Sequence, residues 1–149
     1  MWGEYLEEVH MGTNPNPTLT RMVDCFGWGR AKKMDFSGWN FGALTSLSRN
    51  WYSNGSQLKE IYWGYDYGKG FKEKTTGASG YELKFSSYPL IYESAIQIIN
   101  SLYDLKQAYK DNLGIDTYYK QYLRLSSGTK ATLTAEEIAI ATNKGWIVA

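Results

Sequence analysis

Cysteine and histidine each occur once in this chain, proline occurs three times, and neither sign of charge predominates. The single Cys25 has no partner for an intrachain disulfide and cannot seed a cysteine-rich metal site; it reads as the filler of a small apolar position. The only histidine, His10, lies ahead of the patterned part of the chain, which leaves no basis for a histidine triad or a His-based metal site. Sixteen basic and fifteen acidic residues, without strong clustering, give a net charge of +1. That balance argues against a general electrostatic grip on nucleic acid or anionic lipid. No apolar run approaches the roughly 18–20 residues that span a bilayer, so membrane insertion is not expected. The opening residues, MWGEYLEEVH, lack the basic-then-apolar order of a signal peptide.

At 149 residues the chain is expected to form one domain, burying roughly 70% of its surface without help from disulfides or metals. Aromatic residues are abundant: 13 Tyr, 6 Trp and 5 Phe, beside 15 Gly. Such rings either fill the cores of short strands or, being apolar with a polar tip, mark a surface that is also a contact.

Residues 1–21 read as a lead-in or linker, because prolines alternating with asparagine in TNPNPT exclude a regular helix. A pattern then recurs. Ala31-Lys-Lys-Met34-Asp-Phe36 is followed 27 residues later by Leu58-Lys-Glu-Ile61-Tyr-Trp63. Each follows a glycine- and aromatic-rich stretch, Cys25–Gly29 or Trp51–Gly55, and leads into a Gly/aromatic turn. The alternating half returns at Glu82–Phe85, Tyr122–Leu125 and Gly145–Val148. Short period-two strands at steps of 22–27 residues predict a solenoid with one strand per repeat.

The wide gap between the third and fourth strands holds a predicted helical insert over 89–112. Ala95, Ile98, Ile99, Leu102 and Leu105 form an apolar stripe, with Pro89 just ahead and Glu93 in the first turn. Asn112 and Gly114 stop it. At the end, Thr134-Ala-Glu-Glu137 is a capping box, Gly145 a left-handed helix stop, and Trp146–Val148 a short strand. Together these predict an α/β (α+β) solenoid over 22–149, an irregular stack of short strands with two helices, closed by a C-terminal cap over 133–149.

Residues 22–149 resemble BspA-like leucine-rich repeat proteins of bacterial surfaces and phages. Met22–Trp39 and Asn50–Asp66 match loosely. The stretches SYPLIYESAIQIINSLYDL and YLRLSSGTKATLTAEEIAIATNKGWIVA are similar to the family's closing module. Departures are Ile91 where a Thr N-cap is common, the long connection Gln107–Gln121, and the lack of an Asn or Cys ladder. The resemblance implies a non-catalytic structural or recognition module. It would be a phage fibre or decoration component, or a surface adhesin, at a virion or bacterial cell surface. Its implied partners are other virion or surface chains and a host-cell glycan, and no cofactor is implied. The start of the repeat array lacks a clear cap, so residues 1–30 are expected to pack against another chain or copy, as a homo-oligomer or part of a larger assembly.

In that solenoid Met34, Phe36, Ile61, Trp63, Leu83, Phe85, Leu123 and Leu125 point inward. Their neighbours form two outward columns: Lys33, Glu60, Glu82, Tyr122 and Asp35, Tyr62, Lys84, Arg124. These are either a recognition surface or weak cross-strand ion pairs on a solvated sheet. A second candidate surface is the turn edge carrying Trp28, Trp39, Trp51, Tyr52, Tyr65 and Tyr67, which either stacks on sugars or seals the repeat edge.

Catalytic motifs are sparse. Glu136-Glu137 is explained by helix capping, and GYDYGKG lacks the P-loop spacing and its Ser/Thr. In a continuous solenoid Glu60 and Glu82 would occupy adjacent strands, which keeps open a carbohydrate-active enzyme or its accessory domain as the alternative.

Overall fold

The computed structural model describes residues 7–22, 25, 30–47, 57–69, 82–110 and 121–149. Among these, the first block comprises β1 (Glu8–His10), β2 (Thr13–Asn14), β3 (Arg21–Met22), β4 (Lys33–Asp35), β5 (Gly38–Trp39), β6 (Ser46–Leu47) and β7 (Glu60–Tyr62). The second comprises β8 (Glu82–Phe85), α1 (Tyr92–Ser101), α2 (Leu105–Lys110), β9 (Tyr122–Leu125), α3 (Ser127–Ala131), α4 (Ala135–Asn143) and β10 (Ile147–Val148).

The polar–apolar–polar triplets pair as their alternation requires. Glu8-Val9-His10, Lys33-Met34-Asp35 and Glu60-Ile61-Tyr62 lie side by side, all parallel, in the order β1-β4-β7. Their central residues turn to the core and the flanking ones outward. A second parallel sheet has the order β10-β9-β8, and β2-β5 and β3-β6 are two-stranded. Residues expected to form an entry loop thus carry β1, β2 and β3. Cys25 packs, partly buried, against the core. The rest of Cys25–Gly29, all of Trp51–Gly55, and residues 111–120 with Asn112 and Gly114 lie outside the described residues.

The single solenoid expected from the sequence is not what forms. The described strands make four separate small parallel sheets, none closed, with four helices among them. The break falls between β7 and β8, and α1 explains it. Ile91 N–H donates to Lys59 O (2.9 Å), and Ser94 Oγ accepts from Ile61 N–H (3.0 Å). The Gln97 amide accepts from Trp63 N–H and donates to Trp63 O, both at 2.7 Å. These are the backbone groups on the side of β7 facing away from β4, where a next strand would bond. The Ser94 and Gln97 side chains and the Ile91 backbone N–H occupy this edge in place of a next strand.

The stripe residues Ala95, Ile98, Ile99, Leu102 and Leu105 are all buried, but the predicted helix divides. Leu102 is extended and bridges Tyr67, and Tyr103 N–H donates to Tyr67 O. Lys144 Nζ closes the end of α1 on Ile99 O and Asn100 O (3.3 and 2.8 Å). The capping box of α4 is complete, and Gly145 ends that helix at φ 96°.

Most of the described rings belong to one seam through the interior. Trp63 is its hub, with ring centres 4.6 Å from Phe41 and 5.7 Å from both Phe36 and Phe85. Tyr67 continues it to Trp146 at 5.8 Å. Centroid separations of this size are those of attractive aromatic pairs.

Candidate recognition face

The two outward columns drawn from the sequence divide where the sheets divide. On β4 and β7, Lys33 stands beside Glu60 and Asp35 beside Tyr62. On β8 and β9, Glu82 stands beside Tyr122 and Lys84 beside Arg124. Glu60 and Glu82 are therefore not neighbours, and the juxtaposition that kept a two-carboxylate hydrolase open is not formed.

β1 adds two residues that the sequence reading left out of the face. Glu8 lies beside Lys33 and His10 beside Asp35. The signal was present: EVH and KMD share the polar–apolar–polar form 25 residues apart, the separation of the Lys32–Glu7 contact. The prolines after it drew the segment into a loop assignment.

The enlarged face on β1-β4-β7 is knitted internally. Lys33 Nζ lies 3.9 Å from both Glu8 and Glu60 carboxylates and 5.7 Å from the centre of the Tyr62 ring. The Tyr62 hydroxyl donates to Glu60 Oε2 (3.3 Å), and His10 reaches Glu8 (3.1 Å) and Asp35 (3.8 Å). Burial, followed by the Glu60 charge, pushes the Tyr62 hydroxyl above its ordinary value. Burial works to raise Asp35, but its bonds from Ser37, with the charges of His10 and Lys33, hold its carboxyl below the usual range. Lys33 keeps 28% of its side chain exposed and Glu60 36%. The result is an array of donors and acceptors with an acidic excess, Glu8, Asp35 and Glu60 against Lys33 and the His10 imidazole, around one tyrosine ring.

The β8-β9 face differs. Arg124 donates to Glu82 at 2.6 Å and lies over the Tyr122 ring at 4.7 Å. The Arg124 bond holds Glu82 well below the ordinary carboxylate range.

The aromatic edge does not gather into one surface. Tyr65 is exposed, while Trp39 is half-buried with its Nε1 donating to Met11 O. Tyr67 is completely buried in the seam, and burial drives its hydroxyl far above its usual value. This corrects its place among the exposed rings. Trp28, Trp51 and Tyr52 lie outside the described residues.

Among the described residues no group of three His, Cys, Asp or Glu side chains could hold a metal ion, and no helix is long and apolar enough to cross a membrane. Comparison of the chain with family models, curated proteins and solved structures gives no match.

Proposed function

We propose that the chain is a non-catalytic recognition module that contacts a glycan or protein partner through the outward face of β1-β4-β7. The observation that carries this reading is the Lys33–Glu60–Tyr62 group. Its lysine and glutamate stay partly exposed, and all three are fixed on strands and arranged around a ring. Rigid strands hold such groups at lower entropic cost than loops. The excess of carboxylates over cations on this face disfavours polyanionic partners and is compatible with neutral hydrogen-bonding ones. A virion fibre, decoration component or surface adhesin is the setting that the C-terminal resemblance supports. A glycan array, read for binding and then for turnover of each bound glycan, tests the proposal. Binding without cleavage supports it. Turnover that Glu60→Gln abolishes returns the chain to the carbohydrate-active class, and the absence of any glycan bound directs the search to protein partners of the same face.

A further inference from the structure

The core is finished differently at its two ends. In β1 and the segment after it, Val9, Met11 and Leu19 are only partly buried. Twenty-five residues further on, the separation of the Thr45–Thr20 contact, stand Met34, Phe36 and Leu44. These are at most 1% exposed. The same inward positions are thus sealed one strand deeper and half-open at β1.

The backbone of β1 points the same way. Glu7 O accepts from Lys33 N–H (3.2 Å) and Met11 N–H donates to Asp35 O (3.0 Å), so Glu7, Val9 and Met11 face β4. Alternate residues of a strand face opposite edges. The N–H and C=O groups of Glu8 and His10 therefore line the edge away from β4, and no described strand pairs with it. The corresponding edge at the other end is closed: Lys130 Nζ donates to Val148 O (3.0 Å) on β10. Lysine placed on a strand edge is a recognised block to further pairing.

We propose that the occupant of the β1 edge is a second copy of this chain, related by a two-fold axis through Val9 and pairing antiparallel. The sequence of β1 is self-complementary in that register. Glu8 falls opposite the other copy's His10, and His10 opposite its Glu8. Each such pair exchanges an N–H and a C=O across the axis, because these are the residues whose backbone faces outward. The side chains meet as acid against imidazole on the outer face, where opposite charges favour the pair. On the inner face Val9 meets Val9. A two-fold axis perpendicular to the sheet keeps both inner faces on one side, so the two three-stranded sheets become one. The inference stands apart from the ligand reading, although it would double the recognition face.

Light scattering of the full chain at about 10 and about 200 µM, the range of small interfaces, tests it. The expected mass approaches twice 17.0 kDa at the higher concentration. Glu8→Pro removes an outward N–H and leaves the bonds to β4 intact, so this variant should remain monomeric with an unchanged circular dichroism spectrum. Amide exchange of the unmodified chain gives a check independent of that variant's folding. Glu8 and His10 should slow at least about tenfold between the two concentrations, with Val9 and Met11 protected at both. A wild-type chain monomeric at the higher concentration, association that survives in a folded Glu8→Pro variant, or Glu8 and His10 amides insensitive to concentration would overturn the proposal.

Discussion

In β1-β4-β7 the outer columns are exposed ion pairs shared among several partners, and the inward residues of the outermost strand are half-open. In β8-β9-β10 one tight Arg124–Glu82 bond ties two strands, and α3 and α4 close the end. The strands of both sheets share one alternating pattern, yet among the described residues the first sheet is ended at β7 and not at the outer edge of β1. Alternation makes a strand that pairs. What terminates pairing is supplied from outside the strand: Gln97 and Ser94 at β7, Lys130 at β10, and among the described residues nothing comparable at β1.

Five substitutions would break or sharpen this comparison. The largest effect is expected from Trp63→Ala, which empties the hub joining both sheets. Urea unfolding should show a loss of ~3–5 kcal/mol. Next, Gln97→Leu removes both bonds to the Trp63 backbone, costing ~2 kcal/mol in the same assay. Thr134→Ala dissolves the capping box at the closed end. It should cost ~1 kcal/mol without altering the β1-β4-β7 face.

A smaller effect is expected from Arg124→Ala, worth under ~1 kcal/mol at neutral pH. Its sign with pH is fixed. The folded-state pKa of Glu82 lies below its ordinary value of 4.5. Its contribution is therefore present above that value and disappears as pH falls through the folded pKa. The difference between wild type and Arg124→Ala should shrink when unfolding is repeated near pH 3. The exposed Lys32–Glu7 pair of the first sheet (2.8 Å) offers the contrast, and Lys32→Ala should leave the urea midpoint essentially unchanged.

Local features were legible in the sequence where one segment specifies one structure. The capping box at Thr134, the glycine stop at Gly145 and the buried stripe of α1 all follow from spacing within a single segment. The strands β4, β7, β8 and β9 were legible too, through Met34, Ile61, Leu83 and Leu123, whereas β5 formed where a turn was expected and β6 was not read. What could not be read is who pairs with whom. Spacing suggested that β8 would follow β7. That place is taken by two polar residues of a helix, Ser94 and Gln97, which sequence patterning assigns to the polar side. The same limit hid β1, where Pro15 and Pro17 outweighed a three-residue alternation. It also set Tyr67 on a surface, although its ring completes the core between Trp63 and Trp146. For the candidate face, Lys33, Asp35, Glu60 and Tyr62 were identifiable as outward residues. Their division from Glu82, Lys84, Tyr122 and Arg124 depended on the sheet break.

The most direct test of the account is a comparison of glycan-array binding by wild type, Tyr62→Ala and Tyr122→Ala, each checked for folding by circular dichroism. Both tyrosines sit outward on a parallel sheet beside a cation, and only Tyr62 belongs to the proposed face. The account expects a bound glycan that is not cleaved, lost by at least about tenfold in Tyr62→Ala and unchanged in Tyr122→Ala. Binding that survives in Tyr62→Ala but fails in Tyr122→Ala would contradict it.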